Sequence, residues 1–500
     1  MVLLDGESLT LEEVRSVAVD SANTALSPQA RRRMGVSRAA VEKLLQGESI
    51  VYGVNTGVGK LAEARIDHAQ LRQLQLNLVR SHAVGVGAPL EDAEVRAMML
   101  IRANVLAKGL SGIRPEVAEM LCEMLNRGVH PVVPSRGSVG ASGDLAPLAH
   151  MALVLIGEGE ARIAEERLPG RVALEHAQLA PIQLEPKEGI SLLNGTQGML
   201  ALGALQLLDA ETLADTADVI CALALDALRG TPVAFDPRIH ASRPHPGQQA
   251  SARNLTALLE GSEIRASHIA CRRVQDAYSL RCAPQVHGAV RDVLAASRRA
   301  FSIELNSATD NPLVFGEEIL SGGNFHGQPV AVWLDAMALA LASLAGISER
   351  RIDRLVNPEL NEGLPGFLAA NPGLESGLMM AQVTAAALVA EARVLASPAS
   401  VHSITTSGNK EDFVSMGMYA ALKLKQVVET TRTILAIEAL CAAQGLDFLL
   451  PMQTGRKAQR AYQAIRAAVA PLCGDRSLSA DIAAVAELIC RGELRKALSD

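Results

Sequence analysis

Three small residues, Ala141-Ser142-Gly143, are capable of chemistry that no side chain offers. They lie inside Gly137-Ser-Val-Gly-Ala-Ser-Gly-Asp-Leu-Ala146, where the backbone is almost bare. With no Cβ on Gly143, its amide nitrogen can close onto the Ala141 carbonyl carbon. Loss of water from the new ring and from Ser142 leaves a five-membered ring with an exocyclic methylene, a strong electrophile. The same tripeptide also suits an ordinary glycine-rich loop capping a helix, so its surroundings must decide.

The longer run Gly-Ser-Val-Gly-Ala-Ser-Gly-Asp-Leu-Ala-Pro-Leu-Ala-His150 resembles the signature of the aromatic amino-acid ammonia-lyases, and most nearly that of their histidine-specific branch. In that family the tripeptide becomes 4-methylidene-imidazol-5-one (MIO). The resemblance runs in several separate motifs from about residue 52 to residue 415. It implies a carbon–nitrogen lyase that builds MIO from Ala141, Ser142 and Gly143, with no external cofactor and no metal. The implied reaction converts L-histidine to trans-urocanate and ammonia, the first step of histidine degradation. Within the family the alternatives are a different aromatic substrate, or a 2,3-aminomutase that returns the amine to the β-carbon.

Removing an amine from an α-amino acid poses two problems. Ammonia leaves poorly, which calls for an electrophile, and the β-hydrogen is barely acidic, which calls for a placed base. The substrate carboxylate also needs a clamp, best made by a two-pronged arginine. By resemblance, Tyr52 in Tyr-Gly-Val-Asn-Thr-Gly is the β-proton base, a phenol that its neighbours must activate. Asn194, in Leu-Leu-Asn-Gly-Thr-Gln, hydrogen-bonds the ring oxygen; from the residues alone it reads as a helix N-cap. Gln275, Tyr278 and Arg281 are spaced by three, which places them on one helical face. The resemblance puts Arg281 on the substrate carboxylate and has Tyr278 and Gln275 orient the ring and amine, with Tyr278 the second tyrosine of the catalytic set. Ser81-His82 is the specificity pair seen in the histidine branch, and His82 can hydrogen-bond an imidazole. Glu411, in Asn-Lys-Glu-Asp, approaches the same imidazole, and Phe325 packs beside ring and substrate. One departure stands out: Lys410 occupies a position where the family pattern has Gln, adding a cation beside Glu411.

These residues need a frame. Thr10-Leu-Glu-Glu13 has the form of a capping box, and a short helical pattern follows to about residue 46. Residues 49–52 read as a short extended run leading into a flexible loop over 53–59. Helices are expected over 71–84, 91–108, 114–128 and 144–157, with a small hairpin in 161–182. After Asn194 the chain turns to long, Ala- and Leu-rich helices over 195–230, 251–261, 287–306, 329–356, 373–396 and 410–450. Helices apolar on nearly every face pack in bundles. The expected fold is mainly α: a smaller mixed N-terminal domain, 1–190, carrying the electrophile loop, and a long-helix bundle domain, 191–500. The resemblance gives it the architecture of the fumarase/aspartase-like helical lyases. Two helix starts, after Asp144 and after Asn194, are placed to turn their positive ends on the electrophile.

Composition narrows the rest. A chain of 500 residues with 49% hydrophobic and 20% charged residues suits a large buried core or an oligomer, and the resemblance implies a homotetramer with shared active sites. The net charge of -7 with no basic block argues against nucleic acid. The acidic N-terminus and the lack of an uncharged apolar stretch of about 18 residues argue against secretion and a membrane span, leaving a cytoplasmic protein. Seven scattered cysteines, with no Cys-x-x-Cys and no His-Glu-x-x-His, read as free thiols rather than zinc ligands. Gly53-Val-Asn-Thr-Gly57-Val-Gly59-Lys60 fails as a phosphate loop because Leu61 follows the lysine, and no βαβ alternation supports a dinucleotide site. The Gly-Ser-Ser-x-Met-Pro-x-Lys-x-Asn loop of fumarase-like lyases is absent from the sequence.

Overall fold

In the computed structural model, which describes residues 1–47, 50–269 and 274–499, nineteen α-helices dominate and nine β-strands have three or four residues each. The mainly helical expectation holds. Compactness groups the chain into two units, each built from three stretches rather than from one stretch either side of residue 190. The first comprises Met1–Leu205, Arg298–Asp335 and Pro398–Leu422; the second comprises Gln206–Ser297, Ala336–Ser397 and Lys423–Asp500. The division is discontinuous because the helices Gln197–Ala227, Gln328–Val356 and Gly417–Asp447 each begin in the first unit and continue into the second. At 29 to 31 residues, such helices span roughly 45 Å.

In the first unit the capping box forms as expected. Thr10 Oγ1 accepts the Glu13 amide at 3.2 Å, and the Glu13 carboxylate accepts the Thr10 amide at 2.9 Å. The helical pattern to residue 46 resolves into two helices, Leu11–Ala18 and Pro28–Leu45, the second opened by Ser27 as N-cap and Pro28. Between them Thr24–Leu26 pairs in parallel with Val2–Leu4, a pairing too short to show in the sequence. Helices Leu71–His82, Asp92–Ala107, Pro115–Asn126 and Leu145–Leu155 follow the expected pattern. The expected hairpin is Glu160–Ile163 with Glu166–Pro169, joined by Val129–Pro131. Ile50 and Val51 of the expected extended run form no strand, and a turn over residues 52–55 follows, braced by the Val51 amide donating to Asn55 Oδ1 at 2.7 Å. Ser49, where that run was to begin, and Cys271 lie outside the described residues.

Two further corrections concern helix starts. The helix expected from residue 410 begins at Gly417, because residues 406–411 fold back as a loop with Thr406 paired to Glu411. Asn194 is not an N-cap: it ends the short helix Glu188–Leu193. The helix Gln328–Val356 is long and apolar enough to cross a bilayer, with a window of mean hydropathy 2.0, although 56% of that window is buried in the protein. Its Asp335 carboxylate is also buried, where it accepts the Ser400 amide at 2.7 Å.

The second unit carries a buried polar chain through its helices. Arg351 and Glu438, both fully buried, form a two-pronged ion pair, and Ser348 also donates to the Glu438 carboxylate. His287 sits between Arg351, at 3.3 Å, and Asp218, at 2.8 Å. Burial opposes the charge on Asp218, but the His287 hydrogen bond and the Arg291 guanidinium outweigh it and hold the carboxyl down to about 2. Charges so deep are tolerated only when paired. Replacing Glu438 by Gln strands the Arg351 guanidinium and should cost about 3–5 kcal/mol, read as a lower midpoint in thermal and chemical unfolding; an unchanged midpoint would remove the pair from the stability argument.

Candidate active site

The site is built where two glycines meet. Gly143 has φ +73°, and a Cβ placed on it would lie 2.0 Å from the Gly195 carbonyl oxygen. Only glycine fits, on both conformational and steric grounds. The two residues form an isolated parallel bridge. The Asp144 amide donates to the Gly195 carbonyl at 2.7 Å, and the Gly195 amide donates to the Ser142 carbonyl at 3.2 Å. Helix Leu145–Leu155 starts on one side of this contact and helix Gln197–Ala227 on the other. The buried Asp144 carboxylate accepts the Met199 amide at 2.7 Å, capping the second helix from a distant part of the chain. Burial raises Asp144 to about 6 against the pull of the Met199, Ser138 and Gly198 hydrogen bonds and the nearby Arg102 charge.

Ser142 faces a cavity of about 620 Å³ that Tyr52, His82, Asn194, Phe325 and Glu411 also line. Six positions singled out in the sequence therefore converge within one unit. Ser142 Oγ donates to Glu411 Oε1 at 3.2 Å, while Thr406 Oγ1 donates to Glu411 Oε2 at 2.6 Å. Glu411 is thus held by a loop and not by a helix start. The Gly59 amide donates to the Tyr52 hydroxyl oxygen at 3.0 Å, fixing its position in the loop. His82 Nδ1 lies 2.8 Å from the Leu78 carbonyl, one helical turn back. That contact assigns the proton to Nδ1 and leaves Nε2 as an acceptor. Asn194 is buried, and its Nδ2 donates to the Asn311 carbonyl at 3.1 Å. Ala141 and Gly143 are buried, with Ala141 lining an adjoining cavity of about 590 Å³ beside Lys410 and Phe413.

The structure does not bring Gln275, Tyr278 and Arg281 to this lining. They belong to the second unit, and Gln275 precedes the four-residue helix Tyr278–Arg281, so the three do not share one helical face. Asp276 explains the break: its carboxylate accepts the Thr231 amide at 2.7 Å and ties this segment to a neighbouring loop. Tyr278 is 71% exposed, and the Arg281 guanidinium lies over its ring at 4.6 Å. Arg281 Nε is buried without a hydrogen-bond partner among the described residues. Sequence reasoning also missed Lys60 and Thr406. Lys60 closes the glycine-rich run rejected as a phosphate loop, and it lines the cavity with Tyr52.

The family model of the aromatic amino acid lyases matches residues 9–467. The chain belongs to the aromatic amino acid lyase family. It is similar to the histidine ammonia-lyase of Koribacter versatilis (strain Ellin345), 59% identical over 99% of this chain and 98% of the relative. Among solved structures, it resembles histidine ammonia-lyase from Trypanosoma cruzi, with a TM-score of 0.93 and 42% identity over 99% of this chain and 94% of that one. It also resembles tyrosine aminomutase from Streptomyces globisporus, with a TM-score of 0.94 and 40% identity over 100% and 98%. As a member of the aromatic amino acid lyase family the protein is an enzyme, an ammonia-lyase.

The tripeptide fits what MIO formation in such a lyase requires. A positive-φ glycine with no room for a side chain follows a serine whose hydroxyl opens on the cavity. Gly140, also at positive φ, lets the loop approach Ser415, whose hydroxyl donates to the Gly140 carbonyl at 3.0 Å. Lys410 is exposed beside the adjoining cavity, while Ser142 and Thr406 engage the two Glu411 carboxylate oxygens.

Proposed function

We propose that the protein eliminates ammonia from L-histidine to give trans-urocanate, using MIO formed from Ala141, Ser142 and Gly143. The observation that carries this reading is the convergence of His82 and Glu411 on the cavity that Ser142 faces. Both are suited to an imidazole: either His82 Nε2 or Glu411 can accept the N–H of a neutral ring, and together they match the two N–H groups of an imidazolium. An unsubstituted benzene ring offers neither group a partner, which favours histidine over phenylalanine.

Ring closure joins the Gly143 nitrogen to the Ala141 carbonyl carbon. The Ala141 oxygen leaves as water with the amide hydrogens of Gly143 and Ser142, and a second water takes the Ser142 hydroxyl and its Cα hydrogen. The finished group supplies an electrophile for the substrate amine. The chain's own residues do the rest. Tyr52 lines the cavity and takes the β-proton, and Phe325 lines it beside the substrate. The Gly195 amide, which donates to the Ser142 carbonyl, and the two helix starts favour negative charge at the ring oxygen, while Asn194 holds that peptide through its contact with Asn311. Once Ser142 has lost its hydroxyl, Glu411 Oε1 is released to the substrate.

Gln275, Tyr278 and Arg281 enter this reading through assembly. An exposed Tyr278 stacked by an arginine whose Nε has no partner among the described residues suits a site completed between copies of the chain. The proposed assembly is a homotetramer with shared sites, and the proposed compartment is the cytoplasm, where the six described cysteines stay free as observed.

Ser142→Ala tests the electrophile directly. The wild-type chain should be lighter than its sequence by two waters, and the variant should show its full mass, a native fold and activity lower by at least a thousandfold. Normal turnover at full mass would end the MIO reading. His82→Leu should cost histidine turnover about tenfold to a hundredfold by leaving the imidazole unsatisfied, while any phenylalanine turnover holds or rises. Equal loss on all substrates would make His82 structural. Arg281→Lys should raise the KM for histidine, because an ammonium cannot copy a two-pronged carboxylate contact. An unchanged kcat/KM would take Arg281 out of the site.

A further inference from the structure

Arg102 and Arg351 are the largest fully buried side chains among the described residues, and nothing in the reading above uses Arg102. It stands in the middle of helix Asp92–Ala107, in the same unit as the candidate site. One guanidinium nitrogen, Nη2, donates to the Asn194 carbonyl at 2.6 Å. The other two, Nε and Nη1, have no hydrogen-bond partner among the described residues. A guanidinium normally satisfies most of its five donors, so this one is held in place by burial while engaging a single carbonyl. Asp144 and Asp310 are the acidic groups close enough to act on it by charge. Asp310 is itself engaged by the buried Lys187. Asp144 is turned to the Met199 amide and Ser138.

The carbonyl that Arg102 holds belongs to the Asn194–Gly195 peptide. The N–H of that same peptide is the Gly195 amide, which donates to the Ser142 carbonyl at 3.2 Å. Ring closure leaves that oxygen in place as the carbonyl of the new ring. A cation on one end of a peptide group draws electron density towards the carbonyl oxygen and makes the N–H at the other end a stronger donor. Gly195 leaves no freedom to this relay: a Cβ on it would meet Gln197 Oε1 at 2.5 Å and Arg102 Nη2 at 3.0 Å.

We propose that Arg102 is a positioning residue for the electrophile, holding and polarising the Asn194–Gly195 peptide so that its N–H draws charge onto the Ser142 carbonyl oxygen. Arg102 touches neither substrate nor ring. The inference rests on the MIO reading above, and it adds a buried charge, one peptide away, that sets how strongly the electrophile pulls.

The test compares wild type with Arg102→Gln, which keeps an N–H donor without charge, and Arg102→Lys, which keeps charge with a different shape. Intact mass reports whether the two waters are lost. The rate at which cyanide adds to the folded chain without substrate, its carbon bonding to the methylene carbon while the adduct takes up a proton, reports electrophile strength from the same mass. Circular dichroism and unfolding report the fold. Arg102→Gln should react with cyanide about tenfold more slowly, less than the loss of a direct donor costs, and kcat should fall with KM little changed. Arg102→Lys should stay within about threefold of wild type. A folded Arg102→Gln chain with wild-type cyanide rate and full ring formation would overturn the proposal. If Arg102→Gln did not fold, Arg102→Lys would decide: wild-type ring content and a near wild-type rate would support the role of the charge, and a folded chain reacting tenfold more slowly would overturn it. A wild-type chain with no mass deficit would refute the MIO reading itself, a result distinct from either.

Discussion

The contact between Gly143 and Gly195 governs the arrangement of the first unit. Gly143 lies so close to the Gly195 backbone that it tolerates no side chain, and a Cβ on Gly195 would meet the side chains of Gln197, Thr309 and Arg102. That approach lets one peptide donate to Gly195 and lets Gly195 donate back to Ser142. It also brings the starts of helices Leu145–Leu155 and Gln197–Ala227 to the same tripeptide. Helix N-termini carry unpaired amides and partial positive charge. Here one of them is capped by the side chain of Asp144, which belongs to the loop that the contact holds. The electrophile loop, its charge environment and two core helices are therefore fixed by a single steric condition.

Close backbone packing of this kind leaves buried polar groups to be satisfied, and the protein meets that demand with buried charges of both signs. Around the tripeptide these are Arg102, Lys187, Asp144 and Asp310. Burial pushes Arg102 down to about 10, which leaves it charged at neutral pH. Lys187 also donates to Ser191 at 3.0 Å, and its backbone takes the left-handed conformation at φ +76° to open helix Glu188–Leu193. That helix ends on Asn194, so the position of a candidate site residue depends on a buried lysine seven residues before it. The second unit solves the same problem with Asp218, His287, Arg351 and Glu438. Arg351 Nη1 also donates to the Ser279 carbonyl at 3.3 Å, inside the short helix that carries Tyr278 and Arg281. In both units buried charge supports the backbone of a segment singled out for chemistry.

The sequence revealed what is local. The capping box at Thr10, the glycine-rich loop at 137–143 and the long apolar helices all follow from neighbouring residues, and they appear as expected. Reading failed where a distant partner decides. Asn194 has the type and setting of an N-cap, but its side chain is drawn to the Asn311 carbonyl and its own carbonyl to Arg102. Glu411 reads as the start of a helix, but pairing with Thr406 keeps it in a loop. Spacing by three suggested one helical face for Gln275, Tyr278 and Arg281, yet the helix is only four residues long. Arg102 lies in a helix buried on nearly every face, where an arginine has no local signal beyond its improbability. That improbability was the one clue available, since a charge at such a position requires a reason elsewhere in the fold.

Ser142 and Glu411 suggest an order of events in the life of the chain. Before ring closure the serine hydroxyl occupies Glu411 Oε1, so the carboxylate is engaged with the precursor and the loop Thr406–Glu411 is braced against the tripeptide. Closure removes that hydroxyl. The same oxygen then faces the cavity, still oriented through Oε2 by Thr406. In the proposed function Glu411 thus has two partners in succession, first the group that becomes the electrophile and then the substrate imidazole. Loss of the hydroxyl leaves Oε1 with one donor fewer, so the carboxylate that engages the precursor serine has acceptor capacity on the cavity side for the imidazole.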